Sequence, residues 1–133
     1  MNILLIEDND ADREAIKMAF KEVSPQVNLA IAEESEKAAQ YFSSNESPNL
    51  VLLDLNLPGK SGLEILSEIK NNPRLQHIPV LILTTSQNQT EICRAYKLHA
   101  SCFLTKPFGF EKLVELVREI YGFWFKKVKF CYA

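Results

Sequence analysis

The stretch LVLLDLNLPG, residues 50–59, decides how this chain folds. Its first four residues are apolar without a polar alternate, so the strand they form must be covered on both faces. Strands of that kind belong to parallel sheets with helices packed on either side. The run then meets Asp54. A carboxylate set into an apolar run is costly unless charge or hydrogen bonding compensates it, so Asp54 reads as a functional group. Pro58 and Gly59 close the stretch with turn residues.

Working outward, NILLI at 2–6 and VLIL at 80–83 are runs of the same kind, with weaker ones at 27–31 and 102–104. The segments between them carry a helical period. Residues 10–22 bring Ala11, Ala15, Ile16, Ala19 and Phe20 onto one stripe, and 35–42 offer Ala38, Ala39, Tyr41 and Phe42 with Ser35 as N-cap. Residues 61–70 align Leu63, Leu66 and Ile69, and 90–98 and 110–121 complete the set. Five strands alternating with five helices, joined by right-handed crossovers, predict an α/β doubly wound parallel sheet in a three-layer sandwich.

Composition fits that reading. A chain of 133 residues, 47% hydrophobic and 24% charged, suits one ordered domain rather than a disordered segment. A net charge of −2 leaves no basic stripe for nucleic acid, and Lys126, Lys127 and Lys129 read as a solubilising edge around aromatics. Cys93, Cys102 and Cys131 are odd in number and lack a Cys-x-x-Cys spacing, which points to a reduced, cytoplasmic chain. His77 and His99 are isolated, so neither suggests a metal site. No run approaches membrane-spanning length, and the start MNILLIEDND lacks the basic residues and long apolar core of a signal peptide.

In a doubly wound sheet, chemistry gathers at the carboxyl ends of the strands. The first strand runs into Glu7 and Asp8, the third into Asp54, the fourth into Thr84 and Thr85, and the fifth into Thr105, Lys106 and Pro107. Three carboxylates together repel one another, and a hard cation such as Mg²⁺ relieves the repulsion. The same cation would neutralise an incoming phosphoryl group, with Asp54 as nucleophile, Thr84 as hydrogen-bond donor and Lys106 as counter-charge. Taken singly, each residue has a plainer reading. Glu7 and Asp8 are acids at a helix start, Thr84 and Thr85 are β-branched strand ends, and Lys106–Pro107 is a turn. Their joint placement on one edge favours the chemical reading.

With these residues in place, the whole chain resembles the receiver domain of bacterial two-component response regulators. The motifs are EDN at 7–9, DLNLPGKSG at 54–62, LTTS at 83–86 and FLTKPF at 103–108. The resemblance implies a flavodoxin-like sheet of order 2-1-3-4-5. It implies Asp54 as phospho-acceptor, and Mg²⁺ on Asp8, Asp54 and the Asn56 carbonyl with Glu7 acting through water. It makes Thr84 and Phe103 the switch pair and Lys106 the phosphate contact, with the Lys106–Pro107 bond cis. Asn56 and Ser86 stand where the family tunes phosphoryl lifetime, and Thr85 is larger than the family's usual residue.

The stretches at 77–87, 94–108 and 121–125 are similar to stand-alone receivers that partner phytochrome-type histidine kinases, especially cyanobacterial ones. That likeness makes a sensor histidine kinase the expected partner. Residues 1–122 are expected to form the receiver and 123–133 an aromatic extension of it, with no output domain following. Output would travel through the surface of the fourth helix, fifth strand and fifth helix. Phe123, Trp124 and Phe125 are expected to contribute to a homodimer, the alternative being that they pack back on their own domain, and Gly122 is a candidate end for the fifth helix. Other readings are a pseudo-receiver that binds without phosphorylation, an aspartyl phosphatase of the haloacid-dehalogenase type, and a flavodoxin-like cofactor binder. The intact set Glu7, Asp8, Asp54, Thr84 and Lys106 weighs against the first. Asn56, where the phosphatases need a second Asp, weighs against the second. The third lacks a Gly-rich phosphate cradle after the first strand.

Overall fold

Each apolar run becomes a strand in the computed structural model, which describes residues 1–44 and 47–132. The order is β1 (Asn2–Ile6), α1 (Asp10–Val23), β2 (Asn28–Ala32), α2 (Ser35–Ser43), β3 (Leu50–Leu53), α3 (Gly62–Asn71), β4 (Val80–Thr84), α4 (Gln89–Lys97), β5 (Cys102–Thr105) and α5 (Phe110–Trp124). The strands form one sheet, β2-β1-β3-β4-β5, and every pairing is parallel. This is the expected doubly wound order.

Alternate residues of each strand enter opposite cores. Leu4, Ile6, Val51, Leu53, Val80 and Ile82 face α2, α3 and α4. Ile3, Leu5, Leu50, Leu52, Leu81 and Leu83 face α1 and α5, where Ile16, Phe20, Val117 and Ile120 meet them. The three central strands are buried throughout except Asn2, whereas β2 and β5 are only half-buried edges. Their weaker sequence signal has this cause: an edge strand has one neighbour and less apolar cover.

Local signals set most helix starts. Asn9, Ser61 and Asn88 cap α1, α3 and α4, each accepting a hydrogen bond from the backbone three residues on. Ser35 is not a cap as expected. Glu34 takes the cap position with extended backbone and no side-chain bond, and Ser35 is already helical. Helix α5 also passes through Gly122 and ends two residues later. A glycine costs a helix about 1 kcal/mol, and burial of the next side chains offsets it: Trp124 and Phe125 pack half-buried against the α1–α5 core. Phe130 then folds back, its ring centroid 6.4 Å from Trp124 and 6.2 Å from Phe125. The self-packing alternative therefore describes Trp124 and Phe125, while Phe123 stays 57% exposed.

Candidate functional site

The register that buries the core also aligns four strand ends. Ile6 lies beside Leu53, Leu53 beside Ile82, and Thr84 beside Thr105. Backbone bonds continue one residue past each strand: Glu7 N donates to Ala32 O, Asp54 N to Ile6 O, and Lys106 N to Thr84 O, at 3.0, 3.0 and 2.8 Å. Glu7, Asp54 and Lys106 are thus held by the sheet itself, not by a flexible loop.

Glu7, Asp8 and Asp54 each present a carboxylate oxygen within 4.8 Å of the others. Glu7 and Asp54 are buried, and Asp8 is exposed at the rim. Lys106 reaches into the cluster, its ammonium donating a close hydrogen bond to Glu7 Oε1 and another to Asp12 Oδ2 at 2.9 Å, with Asp54 Oδ2 at 3.9 Å. Glu7 Oε2 accepts from Asn9 N at 3.3 Å. Asp54 Oδ1, by contrast, is buried with no hydrogen-bond partner among the described residues.

Burial is the main reason that the Glu7 carboxyl is pushed up to about 7; the Lys106 hydrogen bond opposes this and the Asp54 charge adds to it. Burial pulls the Lys106 ammonium down, but its bonds to Glu7 and Asp12 and the charges of Asp54 and Glu7 outweigh that, leaving it above the usual lysine value. Three oxygen donors, one orphaned in the interior and one reluctant to ionise, suit a hard divalent cation.

The remaining residues surround this centre. Thr84 is fully buried, and its hydroxyl accepts from Ser86 N at 3.3 Å. Ser86 in turn donates to Glu91 on α4. Asn56 is exposed on the loop two residues beyond Asp54, and Thr85 is exposed. Phe103 is half-buried against the α2–α3–α4 core, and its backbone N–H donates to the Tyr96 hydroxyl at 3.1 Å. The Lys106–Pro107 bond is trans and not cis as the resemblance implied, since no described peptide bond is cis. The trans form of an X–Pro bond is favoured by about 0.5–1 kcal/mol, and Lys106 reaches its carboxylates from it.

Three contributors escaped the sequence reading. Asp12 holds Lys106 from α1. Arg13 donates to the carbonyls of Glu7 and Asp8 at 3.2 and 2.7 Å and so fixes the turn that presents them. At Gly62, a Cβ would stand 2.3 Å from Asp54 O and 2.6 Å from Leu55 Cα. A glycine directly after a serine cap, where alanine would favour the helix, was the available sign of that close approach. Asp12 and Arg13 look like ordinary first-turn residues of a helix.

Fold and site together define a receiver, and the chain belongs to the response regulator receiver domain family, matched over residues 3–118. Among curated relatives it is 39% identical to the response regulator Rcp1 of Synechocystis sp., over 95% of this chain and 90% of that protein. It is also 39% identical to the probable methanogenesis regulatory protein FilR2 of Methanothrix harundinacea, over 92% and 82%. Its structure matches that of the phosphorylated cyanobacterial phytochrome response regulator RcpA, with TM-score 0.92, 35% identity and 98% of both chains covered. The Mn²⁺-bound form of Rcp1 superposes with TM-score 0.87 over 98% of this chain and 99% of that one. Among the described residues no helix is long and apolar enough to cross a membrane.

Proposed function

We propose that this receiver accepts a phosphoryl group on Asp54 from a sensor histidine kinase and relays the change through the surface of α4, β5 and α5. The observation that carries the reading is the Asp54 carboxyl itself. It is buried at the end of β3, has one oxygen without a partner, and lies between acidic neighbours and the Lys106 ammonium. A buried, unsatisfied nucleophile with a cation at hand is arranged for group transfer, not for stability.

In the transfer, an Asp54 carboxylate oxygen attacks the phosphorus of a phosphohistidine. The phosphorus–nitrogen bond breaks, and the imidazole nitrogen keeps the electron pair and takes a proton. Mg²⁺ on Asp8, Asp54, the Asn56 carbonyl and, through water, Glu7 would neutralise charge on the transferring oxygens. Thr84 Oγ1 accepts from Ser86 and keeps its own proton for a phosphoryl oxygen. Lys106 supplies the positive contact. As Thr84 turns toward the phosphoryl group, Phe103 turns inward, and a charge of about −1.5 to −2 becomes a change of surface. The chain would catalyse only its own phosphorylation and dephosphorylation.

Likeness to the cyanobacterial phytochrome response regulator RcpA supports a phytochrome-type kinase as donor. Identity to FilR2 as high as that to Rcp1 leaves the receiver function independent of that link. Residues 1–122 would act as the receiver and 123–133 as its aromatic extension. The exposed Phe123 ring, beside Trp124 and Phe125, supports a homodimer through the tail.

Incubation with acetyl phosphate and Mg²⁺, followed by intact-mass measurement and peptide mapping, tests the reading. A Mg²⁺-dependent phosphate on Asp54 is the expected result. No adduct from either acetyl phosphate or a phosphorylated histidine kinase would make the chain a binding module instead.

A further inference from the structure

Lys106 is shared among three carboxylates. Its ammonium carries three N–H groups. One goes to Glu7 and one to Asp12 at 2.9 Å, and Asp54 at 3.9 Å lies beyond hydrogen-bond reach. The third N–H is free for a phosphoryl oxygen on Asp54, and a closer approach to it draws the ammonium away from the carboxylates that hold it now.

The two carboxylates differ in what release would cost. The Glu7 side chain is 1% exposed, so water cannot take the place of the ammonium there. The Asp12 side chain is 41% exposed, so water can replace the ammonium. Asp12 is also firmly placed, since its backbone N–H is held by the Asn9 cap at 2.9 Å. We infer that Asp12 is a positioning residue for the phosphoryl transfer proposed above, a counter-anion that holds Lys106 off Asp54 and yields it when the phosphoryl group arrives. Asp12 thereby sets how tightly the site holds a phosphoryl group, without touching it. The inference rests on Asp54 being the phospho-acceptor.

The test uses beryllofluoride as the phosphoryl mimic, titrated in excess Mg²⁺ by calorimetry. Asp12→Asn weakens the hold on Lys106 and is expected to tighten binding by roughly two- to fivefold, the range of a half-exposed ion pair. Asp12→Ser, which keeps a polar side chain at the helix start, should move the same way. Asp10→Asn removes an equal charge from the same helical turn, where Asp10 pairs with Arg13 and not with Lys106; it should leave binding unchanged. In a Lys106→Gln background the Asp12→Asn gain should disappear, which a purely structural role for Asp12 would not cause. Unchanged or weaker binding by Asp12→Asn, or a gain that persists without Lys106, overturns the inference while the phospho-acceptor reading stands. A wild-type chain that binds no beryllofluoride and takes up no phosphate overturns both.

Discussion

The two ends of the sheet are built on opposite terms. At the amino end, neutral groups satisfy one another: Asn2 N donates to the Asn49 side chain at 2.8 Å, Asn28 Nδ2 to Asn2 Oδ1 at 3.1 Å, and Asn49 N to Asn2 O at 2.8 Å. These groups are exposed, so their bonds trade evenly with water. At the carboxyl end, Glu7 and Asp54 are buried beside each other, one lysine is divided among three carboxylates, and Asp54 Oδ1 has no hydrogen-bond partner among the described residues. One sheet thus carries a satisfied end and a frustrated end. Chemistry belongs at the second, because only an unsatisfied group changes its energy strongly when a ligand arrives.

Breaking the frustrated end at its centre should have the largest effect. Asp54→Asn is expected to abolish phosphate uptake completely. In metal-free buffer it should raise stability by about 1–3 kcal/mol, since it removes a buried charge that has one oxygen without a hydrogen bond among the described residues. Mass spectrometry and urea unfolding check the two halves, and phosphate retained at another residue would refute the assignment.

The next effect is pH dependence in the metal-free protein. Glu7 has its folded-state value raised from 4.5 to about 7, so its contribution to stability is complete below about 4.5 and lost as pH climbs through 7. Unfolding free energy in a chelator should fall over that window, by on the order of 3 kcal/mol at most, and Mg²⁺ should counter the fall. A flat profile would mean that Glu7 is not the strained group.

Gly62→Ala probes how the frustrated end is supported. The added methyl overlaps the Asp54 carbonyl and Leu55, so a loss of about 2 kcal/mol is expected, with slower phosphorylation as β3 shifts. Thermal unfolding and acetyl phosphate kinetics measure both. The smallest effect belongs to the satisfied end. Asn49→Ala removes one exposed acceptor and should cost about 0.5–1 kcal/mol, with phosphorylation unchanged. A changed rate there would mean that the two ends are coupled.

Much of this arrangement was legible in the chain. The apolar runs at 2–6, 50–53 and 80–83 announced buried parallel strands, and the strand bounds agree with the structure to within a residue. Glu7, Asp8, Asp54 and Lys106 were found because strand ends in this architecture lie on one edge. What escaped reading depended on contacts that local pattern does not encode. Ser35 looked like a cap, but the path of the chain after β2 put Glu34 there. Gly122 looked like a stop, but packing of Trp124 and Phe125 carried α5 past it.

The sequence alone determined the strands, the helices and the identity of the charged groups at the sheet's edge, because burial periodicity and strand-end chemistry are properties of a few neighbouring residues. Only the tertiary structure decided how those charges share one another. Lys106 meets Glu7 and Asp12 from 99 and 94 residues away. Which carboxylate holds it closely, and which is left beyond hydrogen-bond reach, follows from strand register and side-chain reach once the sheet has closed.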